Sequence, residues 1–145
     1  MAELPWTEAD VIQRCQHEYQ AAAREGGQEG QDATVRLAWA QVHSTKTSDV
    51  DRGVELLQAM LTQESADTRD LLYLLAVGQY RRRHYLDART TLRDLLKGNP
   101  EFRQAESLLK SVDEDIVRDG LVGVGAGAAV IGVIGAIAYA ALRKR

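Results

Sequence analysis

The sequence predicts an all-α protein, a six-helix bundle followed by one membrane-spanning helix. Three observations carry that reading. Apolar residues recur every three or four positions, no Val/Ile/Thr alternation of a strand appears, and Pro5 and Pro100 are the only prolines. The chain also matches itself when shifted by 35 residues. Trp39 then lies on Leu74, Val42 on Val77, Val50 on Tyr85, Gly53 on Ala88, Leu57 on Leu92 and Met60-Leu61 on Leu95-Leu96. Finally, residues 121–142 read LVGVGAGAAVIGVIGAIAYAAL, 22 residues without a charge. A bilayer core takes about 20 helical residues, so this run is long enough to cross one.

The first helix is expected from Thr7, an N-cap residue, with Glu8 and Asp10 complementing the helix dipole. Ile12, Cys15, Tyr19 and Ala22 form its apolar stripe, and Gly26, Gly27 and Gly30 break it. A second helix, 32–44, carries Val35, Ala38, Trp39 and Val42. Ser48 or Asp49 is expected to cap a third helix with Val50, Val54, Leu57 and Leu61 on one face. After a break at 64–67, residues 71–80 (LLYLLAVGQY) are almost wholly apolar and form the buried centre. A fifth helix shows Tyr85, Ala88, Leu92 and Leu95 and stops at Gly98-Asn99. The sixth starts at Pro100, a favoured first-turn residue, with Phe102, Ala105, Leu109, Val112 and Ile116 as its stripe.

A helix–turn–helix unit repeating at about 34 residues is the tetratricopeptide pattern. The second copy matches better: Leu72, Leu75 and Ala76 fall at packing positions of its first helix, with Tyr85, Ala88, Leu92, Leu95 and Pro100 following. Ala88 and Gly53 are small where two helices cross. Ser65 replaces the terminal proline in copy one. Two repeats leave both ends of the stack open, so the flanking helices are expected to act as caps. The organisation expected is an N-terminal arm and capping helix over 1–31, two tandem tetratricopeptide-like repeats and a C-terminal capping helix over 32–118, the anchor over 121–142 and a basic tail over 143–145.

Composition narrows the function. Fifteen basic and 21 acidic residues precede residue 121, a net charge of −6, the wrong sign for counterion release from nucleic acid and for lying flat on anionic lipid. The lone Cys15 makes no internal disulfide. MAELPWTEAD lacks the basic and apolar regions of a secretory signal, so the helical part is expected in the cytosol. His17, His43 and His84 are scattered without a metal-ligand cluster, and no glycine-rich loop leads into a helix with a lysine. Nothing marks an enzyme, and no cofactor is expected. Arg81, Arg82, Arg83 and His84 form a basic cluster. It reads either as a solvated helix C-terminus complementing the dipole, or as a contact for anionic headgroups or an acidic partner segment.

The first helices of such repeats line a concave face. Here they would present Val35, Ala38 and Val42 from copy one and Tyr73, Val77, Tyr80 and Arg81 from copy two, a groove suited to a helix or extended peptide. The anchor holds seven Ala and five Gly, is moderately hydrophobic, and is followed by Arg143, Lys144 and Arg145. That tail points to the mitochondrial outer membrane or peroxisomes. Gly123 and Gly127 form a GxxxG face on which two anchors can pair as a homo-oligomer.

Taken together, the two short repeats, the run LAVGQYR (75–81) followed by Tyr85 and Ala88, and DGLVG (119–123) entering a Gly/Ala-rich anchor resemble the mitochondrial fission 1 family over residues 33–145. Trp39, Gly53, Leu57 and Pro100 also match its residue types. The resemblance implies a tail-anchored adaptor on the outer mitochondrial and peroxisomal membranes, its N-terminal domain facing the cytosol. It implies recruitment of a dynamin-related GTPase, directly or through adaptor proteins, and a groove using Ala38, Gln41, Val42, Val77 and Tyr80. Residues 1–6 would then be an arm able to lie over the groove, with Trp6 its anchor. Gln41 is polar where the family tends to be apolar, and HSTKTSDVD lacks the usual aromatic. The competing reading is a tetratricopeptide receptor for chaperones or import clients. It would want a Lys/Arg/Asn clamp, of which the groove supplies Arg81 alone.

Overall fold

The computed structural model describes residues 2–63 and 67–120. Six helices follow one another: α1 (Ala9–Glu25), α2 (Gly27–Val42), α3 (Thr47–Leu61), α4 (Thr68–Arg81), α5 (Tyr85–Gly98) and α6 (Arg103–Asp119). Each packs on the next, α2 also meets α4, and α4 meets α6. This is the stack of two helical hairpins, α2–α3 and α4–α5, that the 35-residue shift implies. Burial follows the same register. Val42 and Val77 are wholly buried, as are Leu57 and Leu92, while Val50 and its counterpart Tyr85 sit near the hairpin turns. The outer helices take the cap positions: among the described helices α1 packs on α2 alone, and α6 lies on α5 and α4.

The core runs through α4. Leu71, Leu72, Leu74, Leu75, Ala76 and Val77 are buried and contiguous with Leu57, Leu61, Leu92, Leu95, Leu108 and Val112. Small residues bring the helices together. A Cβ on Gly53 would stand 2.9 Å from Val42 Cγ1, and one on Gly78 would stand 2.6 Å from Val54 Cγ2 and 3.1 Å from Val42 Cγ1. Val42 is therefore wedged between α3 and α4, and no larger residue fits at either glycine. Inside this layer Thr91 Oγ1 donates to Gln79 Oε1 at 2.8 Å, a buried polar pair within otherwise apolar packing.

Several boundaries differ from expectation, each for a local reason. Thr7 is not a helix cap; it pairs in an isolated parallel bridge with Ser44, and Glu8 takes the cap position without a side-chain bond. The break after α1 needs only Gly26 and Gly27, both at φ +69°, where a side chain would be strained. Gly30 lies inside α2, so the boundary expected between 31 and 32 falls within a helix. Helix α3 starts at Thr47 without the expected Ser48 or Asp49 cap. Instead Ser44 Oγ accepts from the Lys46 amide and donates to Asp49 Oδ2 at 2.7 Å, tying the turn from the other side. Asp67 caps α4, its carboxylate accepting from the Arg69 amide at 3.2 Å. Pro100 sits in a turn closed by the Phe102 amide on Asn99 O, so α6 starts at Arg103 rather than at the proline. The expected anchor (121–142) and basic tail (143–145) lie outside the described residues. Among the described helices none is long and apolar enough to cross a membrane.

Candidate functional site: a face holding the N-terminal arm

Residues 2–7 precede α1 as an extended arm that crosses the C-terminal ends of α2 and α4. At its root, the Thr7 amide donates to His43 O at 2.9 Å and Thr7 Oγ1 donates to Ala40 O at 2.5 Å. Further along, Pro5 O accepts from Arg81 Nη2 at 2.7 Å, and the Arg81 guanidinium lies over the Trp6 ring, 3.5 Å from its centroid. At the tip, the Ala2 amide donates to Tyr80 Oη at 3.0 Å, and that hydroxyl donates to Asp115 Oδ2 of α6 at 2.5 Å. Ala2 and Leu4 pack on the hydrophobic core. Helices α2 and α4, with His43 at the end of α2, thus hold one extended segment by backbone bonds at Ala2, Pro5 and Thr7 and by the apolar side chains of Ala2 and Leu4, while α6 meets Tyr80 through Asp115. Peptide-binding grooves bind in this way.

Burial sets the protonation states. It pushes the Tyr80 phenol up, and the hydrogen bond to Asp115 pushes it further the same way, so the hydroxyl stays protonated and available to the carboxylate. Asp115 is buried, and Arg118 Nη2 at 2.8 Å from Oδ1 balances its charge. Burial pulls His43 below its ordinary value, the nearby Arg81 cation pulls the same way, and the bond between Nδ1 and Trp39 O (2.7 Å) opposes them. His43 is therefore neutral at pH 7 and stacks on Trp39, ring centroids 4.5 Å apart.

The expected groove residues divide into three groups. Tyr80 and Arg81 touch the arm directly. Ala38, Val42 and Val77 are wholly buried, and Val42 is an interhelix wedge rather than a groove wall. Gln41 is buried too, its Oε1 without a hydrogen-bond partner among the described residues. Val35 and Tyr73 lie elsewhere. Val35 lines a cavity of ≈540 Å³ with Met60 and Leu71 and with acidic Asp32, Asp67 and Asp70, at the N-terminal ends of α2 and α4. Tyr73 stacks on Phe102 at the start of α6, centroids 5.3 Å apart. Arg143, Lys144 and Arg145 lie outside the described residues.

Trp6 fastens the arm at the surface rather than inside the groove. Its indole is 62% exposed and lies on Arg81, while Ala2 and Leu4, partly buried, pack against the core. A flat ring on a planar cation gains its attraction without being buried. Asp115, His43 and Thr7 were not legible as site residues. Asp115 had one signal: a carboxylate three residues after Val112 on the apolar stripe of α6, where a polar group needs a partner across the interface. Among the described residues no group of three or more His, Cys, Asp or Glu side chains is placed to hold a metal ion.

Comparison with known proteins agrees with this fold. Residues 34–64 match the model of the Fis1 N-terminal tetratricopeptide repeat and residues 69–121 that of the Fis1 C-terminal tetratricopeptide repeat. Mitochondrial fission 1 protein B of Arabidopsis thaliana is 37% identical over 144 residues, covering 98% of this chain and 85% of the relative. The Homo sapiens mitochondrial fission 1 protein is 34% identical over 111 residues, covering 75% and 73%. Yeast Fis1 in complex with an Mdv1 fragment superposes with a TM-score of 0.69 at 21% identity, covering 79% of this chain and 89% of that one. Fis1 from Saccharomyces cerevisiae alone gives 0.68 over 79% and 88%. The family is one of tetratricopeptide-type adaptors and not of enzymes. Six helices in two hairpins between caps, both repeat models in register and a relative 37% identical over 98% of this chain show that this chain belongs to the mitochondrial fission 1 protein family.

Proposed function

We propose that this chain is a tail-anchored adaptor for division of mitochondria and peroxisomes. Its helical domain faces the cytosol and recruits a dynamin-related GTPase, directly or through adaptor proteins, on the face now covered by the arm. One observation carries the proposal: that face already holds an extended peptide, residues 2–7, by backbone hydrogen bonds to Arg81, Tyr80 and His43 and by a side-chain bond from Thr7 to Ala40 O. A partner segment that accepts from Arg81 and donates to Tyr80 Oη, Ala40 O and His43 O meets the same groups, so arm and partner compete. The yeast relative crystallised with an Mdv1 fragment gives this partner class its precedent. The uncharged run at 121–142 supports single-pass anchoring, and Arg143–Arg145 support the mitochondrial and peroxisomal address. The GxxxG spacing at Gly123 and Gly127 adds a route to pairing in the membrane.

The test keeps the full chain and removes residues 2–6. GTPase or adaptor recruitment to organelles rises if the arm competes with the partner. An unchanged level, with the protein still on the membrane, removes the arm-covered face from the account. Replacing Arg143, Lys144 and Arg145 with serine tests the address separately, with relocation to the reticulum expected. A chaperone-docking role is disfavoured, because Arg81 is the one clamp-type cation in the groove and it is already bound to Pro5.

A further inference from the structure

The four basic residues at the α4–α5 corner do not act as one cluster. Arg81 turns to the arm, and Arg82 Nε pairs with Asp51 of α3 at 2.7 Å. Arg83 is exposed and, among the described residues, has no ion-pair partner. Its φ of +61° makes it the one described non-glycine residue in the left-handed region. A glycine would adopt that conformation more cheaply, so the turn itself gives no reason for an arginine there.

The corner lies beside the end of α6. Tyr85, two residues after Arg83, packs on Tyr80 with ring centroids 5.7 Å apart, and the Tyr80 hydroxyl donates to Asp115 Oδ2, four residues before the end of α6. Arg118 is already engaged with Asp115 and Asp119. Two residues before the end of α6, Val117 is 79% exposed, the most exposed large apolar side chain described. Gly120, at φ +77°, then ends the helix, and the next residue begins the 22-residue uncharged run. Successive Cα atoms are about 3.8 Å apart. A bilayer that holds that run is therefore only a few residues from Val117 along the chain, and the α4–α5 corner joins the same end of α6 through Tyr80 and Asp115.

We infer that Arg83 and Val117 form a juxtamembrane contact with an anionic lipid surface, which sets how the helical domain sits on its membrane. Arg83 meets lipid phosphate and Val117 enters the headgroup–acyl boundary. The inference rests on the proposed anchoring of residues 121–142. It is compatible with the domain's acidic charge, because the contact is one corner at the point of tethering rather than a face. The anchor supplies localisation, so the corner has only to choose among orientations, and one basic residue near an anionic surface biases such a choice by about fivefold. A bilayer is favoured over an acidic protein segment because the chain's own uncharged run leaves from this corner.

The test uses the full chain in vesicles of phosphatidylcholine, with or without phosphatidylserine. An environment-sensitive fluorophore is attached to Val117→Cys in a Cys15→Ser background, and an aqueous quencher reports its exposure. Flotation after an alkaline wash reports the anchor independently, so failure of anchoring is distinguished from failure of the contact. Shielding of the fluorophore is expected in anionic vesicles, and Arg83→Gly, which relieves the backbone, should weaken it about fivefold without lowering thermal stability. Equal quenching in both vesicle types, or shielding unaffected by Arg83→Gly, overturns the inference while flotation is intact. An Arg83 effect of the same size on neutral lipid also overturns it, by pointing to a protein contact.

Discussion

Replacing Arg81 with alanine removes two of the arm's fastenings at once, and the structure gives the size of the effect. Arg81 donates to Pro5 O at 2.7 Å and stacks under Trp6 at 3.5 Å. A hydrogen bond from a charged donor contributes about 1.5–3 kcal/mol when well buried, and we take roughly 1–1.5 here because Arg81 is half-buried. The exposed cation–π contact adds about 0.5–1 kcal/mol. Docking of the arm therefore weakens by about 1.5–2.5 kcal/mol, an increase of roughly 10- to 70-fold in the undocked population. Arg81 is the last residue of α4 and is not among the core side chains, so the core is expected to stay intact. The assay is amide hydrogen exchange at Thr7, whose N–H is bonded to His43 O only while the arm is docked. Exchange there should accelerate by that factor, with Leu72 and Leu92 amides unchanged. A Thr7 rate within twofold of the parent refutes the assignment of Arg81 as a fastening.

Four further outcomes follow from other features of the fold. Gly78→Ala places a methyl 2.6 Å from Val54 Cγ2 in a tight crossing. It should cost about 1–3 kcal/mol and lower the melting temperature by roughly 5–15 °C. Gly98→Ala, with open space around it and no positive φ, should raise stability by about 0.4–1 kcal/mol. The pH dependence of His43 has a definite sign. Its folded value is depressed, so the unfolded chain binds the proton more readily, and stability is lost as pH falls from about 6.5 through the depressed value. Denaturation midpoints at pH 7 and 5 should differ less in His43→Gln than in the parent. Tyr80→Phe deletes the hydroxyl between Ala2 and Asp115. It should cost about 1–3 kcal/mol in chemical denaturation and speed proteolysis of the arm.

The architecture was legible because its determinants are periodic. Leu57 and Leu92, Val42 and Val77, and Gly53 and Ala88 mark the two hairpins in register, and the structure buries them as counterparts. The arm was legible only through the family resemblance, since nothing in MAELPW shows which residues enter a groove. Trp6 is the largest side chain there and yet stays outside, because a cation offers its ring a partner at the surface. The capping residues misled for a related reason. Thr7 and Pro100 have the right chemistry for helix starts, but long-range bonds to Ala40 and His43 in one case and a turn in the other took them first. Tyr80–Asp115 spans 35 residues between two helices and has no local sequence pattern to reveal it. Val35 and Tyr73 share the repeat positions of groove residues, but the cavity claims one and the Phe102 ring the other, both near the N-terminal end of α4 and away from the arm.

The most direct measurement is a competition on the anchored chain lacking residues 2–6. A synthetic peptide of residues 1–8 is titrated against a bound fragment of the dynamin-related GTPase or its adaptor. If one face serves both, the peptide displaces the fragment, and a peptide with Leu4→Asp does so far less well. Simultaneous binding of peptide and fragment, with neither affecting the other's affinity, contradicts the account.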